Sequence, residues 1–371
     1  MPEFKINPKS FYENPDEKLE KKACIVPFKH IEIHAGGQIS ACCHTWLPQW
    51  VGNILLDSTE DVIKNANRVL IQENMKQGRF DNCNDQCPQL NSLLSGEKNY
   101  WDIVPIKKLN EKLEKATMNV GFSYDLSCNL QCPSCRNEMI YWDPFDPDDH
   151  RGRHIAQIHD KVKELISVLV EEHHIVNLNI TGSGDAFASP LYWSYLKELA
   201  AGPIPKNLRI NLKTNGVLMT EKHWQEIEPL WNYINYVEVS VDAFTEETYK
   251  IVRKNGNFKK LKNNLECFDQ MVYNGCFGNL SGWQTNFIVQ KDNFNELKDY
   301  TEWQLSYISE PVIWTNLLAQ WHHIPDDKFK VMAIWQEDHI DRDKLIEILK
   351  DPIFLHPRIK LGNMTSLLPA L

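Results

Sequence analysis

No stretch of this chain reaches the roughly 18 uninterrupted apolar residues of a membrane-spanning helix, so no helical membrane span is expected. Lysine and arginine total 40 against 50 acidic residues, a formal net charge of −10, and no basic stripe stands out. Phosphate binding needs clustered cations, so nucleic acid is excluded as the main partner. No internal repeat or low-complexity run is visible, which excludes a solenoid. The opening Met-Pro-Glu-Phe-Lys lacks the pattern of an export signal, and the expected location is the cytoplasm. Disulfides are rare there. The ten cysteines are therefore expected to bind metal rather than to cross-link.

What is present is a large, soluble-type composition: 371 residues, 42% of them hydrophobic, enough for one large domain plus a smaller one. Within it, Cys128, Cys132 and Cys135 crowd into Tyr124-Asp-Leu-Ser-Cys-Asn-Leu-Gln-Cys-Pro-Ser-Cys135, directly after a segment of strand pattern. Three thiolates on one loop can hold three irons of a [4Fe–4S] cube and leave the fourth open to a small molecule. Zinc instead favours four closed ligands. The nearest histidine, His150, lies well beyond the triplet in an acidic, proline-rich loop.

From residue 118 onward strand and helix patterns alternate. Strands are expected over 118–126, 177–181, 208–213, 236–241, 283–289 and 310–315. Helices are expected over 155–172, 190–201, 221–230, 258–273, 293–306 and 341–350. Six βα units in succession predict an α/β fold with a parallel sheet, too short for eight-stranded closure. The expectation is a partial (βα)6 barrel over 118–315, with functional residues at the C-terminal strand ends. A C-terminal helical extension, 316–371, is expected to close the barrel edge. Trp303, Trp314, Trp321, His322, His323, Trp335 and His339 in and before it are read chiefly as core plugging that edge.

Residues 1–100 differ in character. Alternation over 30–34, a turn at Ala35-Gly-Gly-Gln38 and a return over 39–43 predict a β-hairpin. A helix is expected over 59–76 with Ser58 as N-cap, and 101–117 serves as a linker. Cys24 and Cys42 are brought near each other by the hairpin, and Cys83-Asn-Asp-Gln-Cys87 supplies a second pair. Two such pairs can complete a Cys₄ site, for a cluster or for zinc.

The triplet, its spacing and several later motifs together resemble the radical S-adenosylmethionine (SAM) superfamily. Thr181-Gly-Ser-Gly-Asp185 stands where that family has Gly-Gly-Glu, Leu212-Lys-Thr-Asn-Gly216 resembles its Thr-Asn-Gly strand end, and Val239-Ser-Val-Asp-Ala243 resembles its Ser-x-Asp-Ala/Gly strand end. The resemblance implies SAM binding by Gly182, Ser183, Gly184, Asp185, Lys213, Asn215, Ser240 and Arg253, the last in Tyr249-Lys-Ile-Val-Arg253. Ser134 departs from the pattern, replacing an aromatic neighbour of adenine. Cys24-x12-Gly37-x4-Cys42, Val51-Gly-Asn-Ile54 and the Cys83/Cys87 pair resemble the SPASM or "twitch" auxiliary module, placed before the barrel rather than after it. That likeness implies a second [4Fe–4S] cluster on Cys24, Cys42, Cys83 and Cys87. Cys43 is the alternative to Cys42.

The implied activity is reductive cleavage of SAM and removal of a hydrogen atom from a substrate C–H bond. A peptide is the first substrate reading, with oxidation, cross-linking or epimerisation as in natural-product maturation. A sugar or other small metabolite is the second. An electron donor such as flavodoxin or ferredoxin is implied. Cys267 and Cys276 lie outside both cysteine sets and are hydrogen-donor candidates for an epimerase, though a mid-helix position and a strand entrance favour structural thiols. The non-enzymatic alternative is an iron–sulfur or zinc scaffold that never cleaves SAM.

Overall fold

A computed structural model of the chain describes residues 19–84, 87–95, 102–321 and 323–368. His322 and Trp101, the first residue of the expected linker, lie outside them. The chain is an α/β protein with a mostly parallel central sheet, consistent with a partial barrel. It divides into two compact units. Among the described residues no helix is long and apolar enough to cross a membrane.

Unit 1 combines the described part of 1–125 with 143–183 and 205–209. Its strands are β1 (Lys22–Cys24), β2 (His30–His34), β3 (Gln38–Ser40), β4 (Trp50–Asn53), β5 (Ile103–Pro105), β6 (Met118–Ser123) and β7 (Val176–Ile180). β6 is flanked by β7 and β2, both parallel to it, and β3 and β4 continue the sheet antiparallel. The parallel pairing of β2 with β6 joins the hairpin of the first hundred residues to the strand that opens the expected barrel. Glu32 lies opposite Gly121, whose missing side chain leaves room for it: a Cβ there would come 2.9 Å from Glu32 Cγ. β1 pairs with β5 over a cluster that includes Met75, Phe80 and Leu90.

Two sequence expectations are corrected here. The helix expected over 59–76 is two, Thr59–Ile63 and Ala66–Lys76. Ser58 does cap the first, but Asn65 accepts from the Asn67 amide and starts the second, a turn-forming side chain competing with the helix. The return strand ends at Ser40, so Cys42 and Cys43 lie in the following loop rather than in the hairpin.

Unit 2 contains 126–142, 184–204 and 210–371. Apart from the first two residues of β8, it holds β8 (Leu208–Thr214), β9 (Ile234–Ser240), β10 (Gly282–Val289), β11 (Val312–Leu317) and β12 (Ile359–Lys360), all parallel and in that order. Helices Pro190–Ala201 and Phe258–Tyr273 match their expected limits. The helix over 221–230 stops at Glu226, and a 3-10 turn, Glu228–Tyr233, takes over at Pro229, which cannot donate to a helical ladder. The free side of β11 carries strand β12 rather than helices alone, with the Leu317 amide also held by Asn363. Trp303, half-buried, packs edge-on to Tyr300 and Phe258, whereas Trp321 is half exposed.

Candidate functional site

The loop bearing the cysteine triplet is pinned from both ends. Cys128 donates its amide to Ile140, the Trp142 amide donates to Ser127 Oγ, and Cys135 closes a turn on Cys132. Each thiol then meets one N–H group from a different part of unit 2. Asn215 Nδ2 lies 3.6 Å from Cys128 Sγ, Arg253 Nη1 lies 3.6 Å from Cys132 Sγ, and Arg136 Nη2 lies 3.7 Å from Cys135 Sγ.

The elements explain these placements. Asn215 follows β8 in a turn that needs Gly216 at φ +77°. Arg253 ends the helix Glu246–Val252, whose N-cap Thr245 is clasped by the Glu296 carboxylate, along with the Phe244 amide and the Thr248 hydroxyl. Beyond β9, Asp242 takes φ +61°, accepts from the Ile288 amide at 2.7 Å and forms an ion pair with Arg253 Nη2 at 2.6 Å. Arg136 also donates to the Leu126 carbonyl at 2.7 Å.

Burial, with the Asp185 charge behind it, pushes the Cys128 thiol up to about 12, against the pull of Arg136. Burial likewise raises Cys132, opposed by Arg253. Arg136 is stabilised as a cation by Cys135, Cys128 and Cys132 together, against its own burial. Metal binding must therefore displace protons from these sulfurs. Among the described residues, no group of three or more His, Cys, Asp or Glu side chains could hold a single metal ion. A cubane spreads its cysteines over separate irons, so its ligands need not converge on one point. Three soft donors backed by two guanidinium cations fit such an anionic cluster.

The residues implied in SAM binding fall into both units. Gly182 and Ser183 belong to unit 1. A Cβ on Gly182 would come 2.0 Å from Ser123 Oγ and 3.2 Å from Glu32 Oε1. Gly184, Asp185, Lys213, Asn215, Ser240 and Arg253 belong to unit 2. Asp185 is fully buried, and its carboxylate accepts from Thr214 Oγ1, from the Asn215 amide and from the amides of Phe187 and Ala188. Its acceptor capacity is spent inside the protein, which makes it a brace for the Asn215 turn. Lys213 is exposed and pairs with Glu238 at 3.1 Å. Ser240 is half-buried at the end of β9.

In unit 1, Cys24, Cys42, Cys43, Cys83 and Cys87 all line one cavity of about 310 Å³, together with His30 and Glu32. Burial pushes Cys24 up to about 12 and raises Cys42, Cys83 and Cys87. Cys42 interacts electrostatically with Cys24, Cys83, Cys43 and Cys87. Cys43 faces Glu32. Burial works against the Glu32 charge, but His30 and the Ser123 hydroxyl at 2.6 Å bring its carboxyl down to about 2.

Of the hydrogen-donor candidates, Cys267 sits within helix Phe258–Tyr273 and Cys276 precedes the N-terminal end of β10, bonded by its amide to Met271. The triplet loop and the Asn215 turn belong to the opposite, C-terminal strand ends. Three residues of consequence were missing from the sequence reading of the site: Arg136, Asp242 and Glu32. Adjacency to Cys135 marks Arg136, and Asp242 stands inside the Val239–Ala243 motif. Glu32 had only its place between two apolar strand residues.

An uncharacterized protein of Methanocaldococcus jannaschii is 21% identical over 190 residues, covering 51% of this chain and 57% of the relative. The chain thus spans little more than half the length of that relative. Among solved structures, native anSMEcpe with bound AdoMet and Cp18Cys peptide aligns at TM-score 0.41 and 13% identity, over 67% of this chain and 63% of that one. TYW1 with a lysine–pyruvate adduct bound aligns at TM-score 0.35 and 14% identity, over 65% and 73%. The family model described as the radical SAM superfamily matches residues 126–283, the segment that carries Cys128, Cys132, Cys135, Asp185, Asn215, Asp242 and Arg253.

Proposed function

We propose that this chain is a radical SAM enzyme carrying a second, auxiliary [4Fe–4S] cluster of SPASM or twitch type, and that it modifies a C–H bond of a peptide. The observation that carries the reading is the triplet, in which every sulfur has its own N–H partner within the matched segment. Cys128, Cys132 and Cys135 would hold the SAM-binding cluster. Cys24, Cys42, Cys83 and Cys87 would hold the auxiliary one. When bound and reduced by an external electron donor, the cluster on Cys128, Cys132 and Cys135 would supply the one electron that splits SAM into methionine and the 5′-deoxyadenosyl radical, which would take the substrate hydrogen.

The chain's own residues supply position and charge. Asn215, braced by Asp185, and Arg253, braced by Asp242, fix the sulfurs they contact. Ser240 and Lys213, at the ends of β9 and β8, would make polar contacts with SAM. A small, polar metabolite is the second substrate reading, and one feature favours it. Lys213, Glu238, Asn286, Gln284 and Tyr236 form a continuous chain of ion pair and hydrogen bonds across β8, β9 and β10.

The test is anaerobic reconstitution followed by iron and sulfide counting and an assay of 5′-deoxyadenosine with dithionite and SAM. Two clusters require about eight irons, falling to about four with loss of turnover in a Cys128/Cys132/Cys135 triple-alanine variant. Four irons plus zinc would remove the auxiliary cluster, and no SAM cleavage would leave a scaffold. Peptide and metabolite substrates are separated by which of them raises 5′-deoxyadenosine formation.

A further inference from the structure

Two glycines of unit 1 keep space clear around one carboxylate. Glu32 stands opposite Gly121, where a Cβ would come 2.9 Å from Glu32 Cγ, and a Cβ on Gly182 would come 3.2 Å from Glu32 Oε1. The side chain can thus reach the turn that follows β7. It is only 20% exposed. Burial opposes its charge, yet His30 and the Ser123 hydroxyl hold the carboxyl down at about 2, so it is ionised at neutral pH. Buried carboxylates are ordinarily matched by a cation. Among the described salt bridges Glu32 meets no lysine or arginine; its partner there is His30, 3.6 Å from Oε2. Oε1 accepts from Ser123 at 2.6 Å and, as a carboxylate oxygen, has room for a second donor.

Gly182 belongs to the glycine-rich turn implied in SAM binding. The acid of that turn, Asp185, is occupied by four internal donors. Resting on the radical SAM reading above, we infer that Glu32 takes the place of that acid: it is a SAM-binding residue, and its Oε1 accepts a hydrogen bond from the amino group of SAM. The site is built wholly within unit 1, from β2, the end of β6 and the turn after β7. Glu32 lies outside the matched segment 126–283, so it is no part of the family's own motif. A carboxylate suits this partner, because an amino group brings N–H donors and, when protonated, a positive charge.

The test is equilibrium binding, by calorimetry, to the anaerobically reconstituted full-length protein. Two probes are used: SAM, and a SAM analogue carrying hydrogen in place of the amino group. Glu32→Gln is expected to keep the wild-type iron count and to bind the analogue as wild type does. Its SAM binding should weaken about 10- to 100-fold, the contribution of one hydrogen bond to a charged group. Glu32→Asp, which keeps the charge but is one methylene shorter, should weaken SAM binding less. Unchanged SAM affinity in Glu32→Gln overturns the inference. So does an equal loss for SAM and the analogue, which marks a structural role. Loss of about four irons in Glu32→Gln also overturns it, because Glu32 would then serve the cysteine cavity instead. Should Glu32→Gln fail to fold, Glu32→Asp decides, and wild-type SAM affinity in that variant overturns it. A wild type that takes up iron but binds no SAM overturns the radical SAM reading itself, a separate and recognisable outcome.

Discussion

Thr214 donates its hydroxyl to Asp185 at 2.9 Å, and both groups are buried. That bond ties the residue before the Asn215 turn to the Gly184-Asp185 segment, and with the Asn215 amide it fixes the side chain that meets Cys128.

Asp185→Ala removes one acceptor from four donors at once. Unsatisfied buried donors cost about 1–3 kcal/mol each, so the metal-free protein should lose at least about 3 kcal/mol in urea unfolding. Asp185→Asn retains shape and one carbonyl oxygen and should fall between. A loss below about 1 kcal/mol in Asp185→Ala would show that the brace is dispensable.

Cys42 and Cys43 are adjacent, yet the fold treats them differently. Cys42 interacts electrostatically with Cys24, Cys83 and Cys87, whereas Cys43 interacts with Glu32 and, among those three cysteines, with Cys87. Cys42→Ala should therefore drop the reconstituted iron by about four per chain, and Cys43→Ala should retain it. The reverse pattern would exchange their roles.

Gly182→Ala would drive a methyl into Ser123 Oγ and disturb the 2.6 Å bond from that hydroxyl to Glu32. Overpacking of this kind costs about 1–3 kcal/mol. Thermal denaturation should show the loss in Gly182→Ala and a partial recovery in Gly182→Ala combined with Ser123→Gly. An equal loss in both would locate the strain elsewhere.

His159 receives or gives a hydrogen bond with the Tyr124 hydroxyl at 2.7 Å, and burial lowers its pKa to about 3. Between its ordinary value of 6.5 and that figure, the unfolded chain binds a proton that the folded chain refuses. Stability must fall as pH falls through this window, by about 1.4 kcal/mol per pH unit from this group. His159→Gln should make the metal-free protein less sensitive to acid than wild type over that range. Parallel pH profiles for the two proteins would contradict the assignment.

Six βα units were legible in the sequence because each strand and helix carries its own periodicity, and the observed elements follow with shifts of a few residues. The triplet was legible because its three cysteines lie within eight residues of one another. What escaped were relations between distant residues. Nothing local announces that β2 runs parallel to β6, since Glu32 and Gly121 meet only through strand register. The role of Asp185 escaped as well. A carboxylate after Gly-Ser-Gly looks free to meet a ligand until the amides of Phe187 and Ala188 and the turn at Asn215 are seen to surround it.

The β2–β6 pairing also governs how the chain can be cut. Trimming the cysteine-rich first hundred residues would unzip five backbone partners, from His30–Asn119 to His34–Ser123. The bared flank would present Val120 and Phe122, both fully buried here, beside unpaired amides. Such an edge recruits other chains, so the shortened protein should associate with itself before it reveals anything about the triplet.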